Sequence, residues 1–243
     1  MNQKPATDQP LQAIAFDAVG TVMYPTPGVA DAYRAAIERH FECQIDVEQI
    51  RTATRTALRQ RSETSDLRTD EAAERRFWAD LVEQLCPPGQ PEKAAACFED
   101  LFAHFAEPGH WACFPEVETV IPRLQAAGLK VALASNFDTR LNAVCDGLAG
   151  LSDIPHRIIS SVVGFRKPAP EFFHAVVEKL QVPPQQILFV GDDRVNDVDG
   201  AAAAGMQTAW VVRTGRPESV PLGCRLLSTL SDLLPQTAPS TSE

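Results

Sequence analysis

The sequence predicts an α/β protein: a parallel sheet covered by helices on both faces and interrupted by an inserted helical segment. Three observations carry that expectation. Short apolar runs alternate with amphipathic stretches over most of the chain, the rhythm of strand and helix units. One block, residues 23–114, switches to helical periodicity throughout. The polar residues that follow the apolar runs are carboxylates, hydroxyls and a lysine, which suits the carboxyl ends of parallel strands, where ligands sit.

The first apolar run, QAIAFDAV at 12–19, reads as a buried strand that delivers Asp17 to its end, just before Gly20 and Thr21. Segments 29–41, 46–61, 69–85 and 91–106 repeat apolar residues three and four apart with charges between them, as amphipathic helices do. After Phe114-Pro115 the alternation resumes. A helix over 117–127 stops at Gly128, LKVALAS (129–135) is a buried strand, 138–148 a helix and RIIS (157–160) a short strand. Pro170 opens a helix to Leu180, ILFV (187–190) is a strand, Asn196 to Ala204 a helix ended by Gly205, and TAWVV (208–212) the last strand. Units in this order build a Rossmann-like doubly wound parallel sheet. The expected division is an α/β core of residues 11–22 and 115–232, a four-helix cap domain over 23–114, and a disordered tail over 233–243, which carries no sizeable apolar side chain from Pro235 on. No internal repeat is visible.

Composition narrows the partners. With 22 Lys plus Arg against 32 Asp plus Glu, the net charge is −10, and no basic face is available to displace counterions from a nucleic acid. No apolar run approaches the roughly 20 residues of a membrane span, and MNQKPATDQPLQ lacks the basic and apolar regions of a leader, so the expected location is the cytoplasm. The six cysteines contain no C-x-x-C pair. They read as reduced thiols, and together with the five scattered histidines they lack the spacing of a zinc site.

If the sheet is parallel, four groups converge on one edge: Asp17, Ser135-Asn136, Arg166-Lys167-Pro168, and Gly191-Asp192-Asp193 with Asn196-Asp197. Carboxylates there can hold Mg²⁺, Lys167 can neutralise an anion, Ser135 can donate to it, and a carboxylate can attack phosphorus. Each piece alone has a plainer reading as a turn, cap or loop residue. The set in order on alternating strands and helices is what makes the chemical reading preferable.

FDAVGT (16–21), ASN (134–136), RKPAP (166–170) and GDDRVND followed by GAAAAG (200–205) resemble the four motifs of the haloacid dehalogenase superfamily, subfamily I, with a helical cap after the first motif. The resemblance extends from residue 12 to about 232. It implies that Asp17 is the nucleophile, that Ser135 bonds the transferred group and that Lys167 steadies both, with Gly20, Thr21 and Asn136 as substrate contacts. It makes Asp192 a Mg²⁺ ligand together with Asp17 and the backbone carbonyl of Val19, the acidic motif being completed by Asp193 or Asp197. The partner it implies is a small phosphorylated metabolite; the oligomeric state is left open.

The departure is Val19. Phosphatases of this family usually carry a second Asp there, which protonates the leaving oxygen and then activates water, and loss of such a group removes a factor of roughly 10² to 10⁴. Three alternatives follow: a pseudoenzyme that binds Mg²⁺ and phosphate without turnover, a 2-haloacid dehalogenase, and a phosphonoacetaldehyde hydrolase. Dehalogenases share Asp-Ala-x-Gly-Thr and Ser-Asn but have small polar residues where this chain has Asp192 and Asp193. The third needs a cap lysine, and the only lysine over 23–114 is Lys93. The cap segment holds 16 acids and 10 bases, yet Arg51, Arg55 and Arg59 share a helix face. The plainer account is a solvated face balanced by the acidic 70–74 stretch; the other is a site for an anionic leaving group. Tyr24 is open between substrate contact and packing. Phe77-Trp78 and Phe98, Phe102 and Phe105 are expected in the core.

Overall fold

A computed structural model describes residues 9–234. The elements run β1 (Ala13–Phe16), β2 (Met23–Pro25), α1 (Val29–Phe41), α2 (Val47–Glu63), α3 (Glu71–Leu85), α4 (Pro91–His104), β3 (Trp111–Cys113), α5 (Val117–Ala126), β4 (Lys130–Ser135), α6 (Arg140–Asp146) and β5 (His156–Ile159). They continue with α7 (Ser160–Val163), α8 (Pro170–Leu180), β6 (Ile187–Gly191), a π-helical turn Arg194–Asp199 leading into α9 (Gly200–Ala203), β7 (Gln207–Val211) and β8 (Arg225–Leu227).

The main sheet has the order β5-β4-β1-β6-β7-β8, and every neighbouring pair is parallel. From β1 the chain moves outward to β4 and β5, then returns to the other side of β1 for the remaining strands, so the strand order reverses at β1. A crevice opens at such a reversal. Register places the chemistry: Phe16 pairs with Leu133 and with Val190, so Asp17, Ser135 and Asp192 emerge at one edge.

The two faces of the sheet are built differently. Ile14, Phe16, Val131, Leu133, Leu188 and Val190 point to a cluster completed by α5 and α6 through Val120, Ile121, Leu141 and Val144. On the other face the buried residues of β1 and β4 are alanines, Ala13, Ala15, Ala132 and Ala134, and this leaves room for Phe172, Phe173 and Val176 of α8. Large side chains come from the helix where the strands have small ones, which keeps the interior filled.

Helices α1 to α4 enclose an apolar cluster of their own, with Tyr33, Ile37, Ile50, Leu81, Cys97, Phe98 and Leu101. Helix α2 buries only Ile50; the Asp46 side chain caps it by accepting from Glu48 N–H, and Asp70 caps α3 through Ala73 N–H. All six cysteines are free. Among the described residues, no helix is long and apolar enough to cross a membrane.

Three expectations need correction. Residues 23–114 are not all helical, because β2 and β3 at its two ends form an antiparallel ribbon that pairs Tyr24 with Ala112; three-residue strands are too short to show a period. The sheet continues past residue 212 to β8, which pairs with β7. The ordered chain passes residue 232: a 3₁₀ turn, Leu230–Leu233, follows, and Leu233 and Leu234 pack against the core. The rest of the expected tail lies outside the described residues.

Candidate active site

Asp17 leaves β1 with its N–H donated to Val190 O at 2.8 Å, which fixes its main chain to β6. The residue is 7% exposed. Oδ1 accepts from Lys167 Nζ at 2.6 Å and from Ser135 Oγ at 3.4 Å, whereas among the described residues Oδ2 meets only Thr21 Oγ1, at 3.4 Å. Lys167 is saturated: its ammonium donates to Asp17 Oδ1, to Asp197 Oδ1 at 2.7 Å and to Ala134 O at 3.0 Å. Burial disfavours this cation, but the two carboxylates outweigh burial and hold its pKa above the ordinary lysine value.

Carboxylate oxygens of Asp17, Asp192 and Asp197 lie within 4.8 Å of one another. Asp192 is exposed and lines the cavity. The surrounding protein, and then the charge of Asp17, push its carboxyl up to about 7. Asp197, 1% exposed, is also raised to about 7, first by burial and with Asp17 adding to it, against the pull of Lys167. With one ammonium serving three carboxylates, the cluster carries spare negative charge and hard oxygen donors, a donor set that fits a divalent cation.

The structure divides the expected site residues. Asp17, Ser135, Lys167, Asp192 and Asp197 meet. Asp193 is not in the cluster: its side chain accepts from Val195 N–H at 2.8 Å and from Asn196 N–H at 2.9 Å, capping the following turn. Asn136 lines the cavity, but its amide is committed to the main chain of Lys167, with Nδ2 donating to Lys167 O at 3.1 Å and Oδ1 accepting from Lys167 N–H at 2.7 Å. Gly20 and Thr21 do not line the cavity. Thr21 is fully buried behind it, with its hydroxyl within reach of both Asp17 and Asp192. Gly20 has φ +91°, and a Cβ there would run into the Asp192 carboxylate. Val19 lines the cavity beside Asp17.

Two arginines organise this edge: Arg213, which sequence reasoning passed over, and Arg166, which it named beside Lys167 without a role. Arg213 donates to Thr21 O at 2.6 Å and to Glu116 at 2.8 Å, and its guanidinium lies 3.4 Å from the centre of the Phe114 ring. It stands two residues beyond β7, on the same strand edge, and that position was its only signal. Arg166, 5% exposed, reaches away from the carboxylates and donates to Arg61 O at 2.8 Å and Asp66 O at 2.9 Å.

A cavity of about 760 Å³ lies over the cluster, walled on the far side by α2, α3 and α4. Arg51, Arg55 and Arg59 are not answered by the 70–74 stretch. Arg51 pairs with Glu48 and Arg59 with Glu63 on their own helix, and Glu74 takes Arg61 instead, at 2.5 Å. Arg55 lines the cavity without an acidic partner among the described residues. Tyr24 packs on Phe114, ring centres 4.8 Å apart, and is not part of the wall. Trp78, Phe98, Phe102 and Phe105 belong to the apolar cluster of the four helices and also face the cavity.

The haloacid dehalogenase-like hydrolase family model matches residues 11–205. The chain is similar to haloacid dehalogenase-like hydrolase domain-containing protein 3 of Bos taurus, 31% identical over 168 residues that span 65% of this chain and 66% of that protein. It is also 31% identical over 207 residues to the phosphoglycolate phosphatase of Shigella sonnei (strain Ss046), covering 80% of this chain and 79% of that one. Among solved structures, the L-2-haloacid dehalogenase of Xanthobacter autotrophicus shares the fold with a TM-score of 0.68, at 23% identity, over 92% of this chain and 96% of its own. The match to the family over most of the chain, on a sheet whose reversal point gathers Asp17, Ser135, Lys167 and Asp192, establishes that this protein belongs to the haloacid dehalogenase-like hydrolases.

Proposed function

We propose that the protein is a Mg²⁺-dependent phosphatase that acts on a small phosphorylated substrate through a phosphoryl group carried on Asp17. The observation behind this reading is the cluster of Asp17, Asp192 and Asp197 within 4.8 Å, with Lys167 2.6 Å from Asp17. Three carboxylates this close repel one another and any carboxylate substrate unless a cation joins them, which favours phosphate chemistry over metal-free dehalogenation.

Asp17, Asp192 and the backbone carbonyl of Val19 would hold the ion, with Asp197 behind them sharing Lys167. When bound, Mg²⁺ supplies positive charge that offsets the carboxylates and the phosphoryl oxygens. The rest of the work belongs to the chain. Lys167 and Ser135 orient Asp17 by its Oδ1, which leaves Oδ2 with lone pairs to spare. Oδ2 bonds to phosphorus as the bond to the leaving oxygen breaks. Water then attacks phosphorus, restores the carboxylate and gives its proton to solvent, because position 19 offers no base. Helices α1 to α4 act as a cap domain that excludes bulk water and meets the leaving group.

The test is phosphate release from acetyl phosphate and para-nitrophenyl phosphate with and without Mg²⁺, with Asp17→Asn as control. Expected are Mg²⁺-dependent turnover and its loss in Asp17→Asn. No Asp17-dependent turnover on either substrate, with Mg²⁺ still bound, would favour a pseudoenzyme, the reading that Val19 supports. Metal-free halide release from a 2-haloacid would favour the dehalogenase.

A further inference from the structure

We propose that the leaving group is an apolar, ring-sized body, so that the substrate is an aryl phosphate or an acyl phosphate with an apolar side chain; this deepens the phosphatase reading and rests on it. The first support is the wall that shares the cavity with Asp17. Leu58, Trp78, Val82, Phe98, Phe102 and Phe105 line it. Leu58 is exposed and Trp78, Phe102 and Phe105 are half-buried, so their surface is available to a bound molecule, while the buried Val82 and Phe98 back the wall.

The second support is how few polar groups in the helical wall are free. Arg61 is held by Glu74, with its guanidinium 4.2 Å from the Phe77 ring centre, and Arg59 is paired with Glu63. Arg55 is exposed, so water solvates it without a ligand. Thr54 and Tyr33 line the cavity, the Thr54 hydroxyl being buried and without a partner among the described residues. Two hydroxyls can satisfy at most two polar atoms. A sugar or other polyol would leave several of its own hydroxyls unpaired against leucine and aromatic rings, a loss that compounds with each group. An aromatic body loses nothing of the kind and gains apolar burial and ring contacts.

The third support comes from the opposite wall, where Val19 supplies no acid. An alkoxide needs protonation as it leaves, whereas a phenolate or carboxylate departs with the electron pair of the broken phosphorus–oxygen bond and needs none. The side of the cavity that holds the leaving group and the residue that would protonate it thus point to the same class.

The experiment compares kcat/KM for 1-naphthyl phosphate, acetyl phosphate and glucose 6-phosphate with the full chain and Mg²⁺. The expected preference for 1-naphthyl phosphate over glucose 6-phosphate is on the order of 10²-fold. Trp78→Ala should lower the ratio of 1-naphthyl to acetyl phosphate about tenfold, and Trp78→Phe should restore most of it. Asp17-dependent turnover of glucose 6-phosphate comparable to 1-naphthyl phosphate overturns the inference and leaves the phosphatase intact. So does an equal fall on both substrates in Trp78→Ala. No Asp17-dependent turnover of any of the three overturns the phosphatase reading itself.

Discussion

At position 19 an apolar side chain faces the cavity within two residues of the buried Asp17, and the consequence can be measured by restoring a carboxylate. Val19→Asp changes the side chain and keeps the backbone carbonyl. If only the acid is missing, turnover of an alkyl phosphate such as glycerol 2-phosphate should rise by roughly 10²-fold or more, with a smaller gain on para-nitrophenyl phosphate, whose phenolate needs little protonation. An equal gain on both, or none on either, would mean that the geometry of the cluster limits the rate and the acid does not. A fourth carboxylate is tolerable only with a counter-charge, so the gain should also depend on Mg²⁺ more steeply than the parent activity does.

At the scale of elements, the site depends on how closely α9 approaches α8. A Cβ built at Gly200 would lie 2.6 Å from Phe173 Cε2 and 3.0 Å from Pro168 Cβ, and Phe173 is fully buried between the sheet and these helices. Gly200→Ala should therefore destabilise by about 1–3 kcal/mol, the usual cost of overpacking, although alanine is the better helix former. Urea unfolding of the pair checks this; an unchanged or raised midpoint would show that α9 slides freely. Pro168 adjoins Lys167, so the same substitution should also lower kcat. The long elements of this region were legible in the sequence because their period is sustained: helices 29–41 and 170–180 begin and end where the alternation of polar and apolar residues does. The ribbon of β2 and β3 and the edge strand β8 were not, since three residues carry no period and their pairing is decided by what lies across from them. Side-chain roles were legible only to the level of residue type. Asn136 and Asp193 are polar residues at the right edge, but an amide or carboxylate serves a backbone group as readily as a ligand, and only the turn geometry decides which.

For the whole molecule, the question is what seats the four helices over the sheet. Much of the seam is made by the segment just before Lys167. Thr69 N–H donates to Gly164 O and Arg166 N–H to Leu67 O, both at 3.0 Å, and the Arg166 side chain reaches Arg61 O and Asp66 O. On the other flank, Glu71 of α3 accepts from Thr139 N–H at 3.0 Å and from the Ser161 hydroxyl, and Arg140 donates to Phe102 O at 3.0 Å. The residue beside the site lysine is thus the one that holds the end of α2, the helix that carries the mouth of the cavity. Arg166→Met keeps the length and apolar stem of the side chain and removes the donors. Burial and the like charge of Arg61 already hold the Arg166 pKa below the ordinary arginine value, so losing the cation gives back part of what losing two hydrogen bonds to carbonyls costs. The net destabilisation should be small, about 1 kcal/mol. The functional effect should be larger and selective: with the end of α2 released, KM for 1-naphthyl phosphate should rise about tenfold while kcat falls by less, because the contacts of Asp17 and Lys167 lie on the strand side of the seam. Arg166→Lys, which retains charge but cannot reach two carbonyls from one planar group, should behave like the methionine variant. If lysine instead restores KM, the charge and not the paired hydrogen bonds seats the helices. A fall in stability with unchanged KM in both variants would show that the seam has no part in binding.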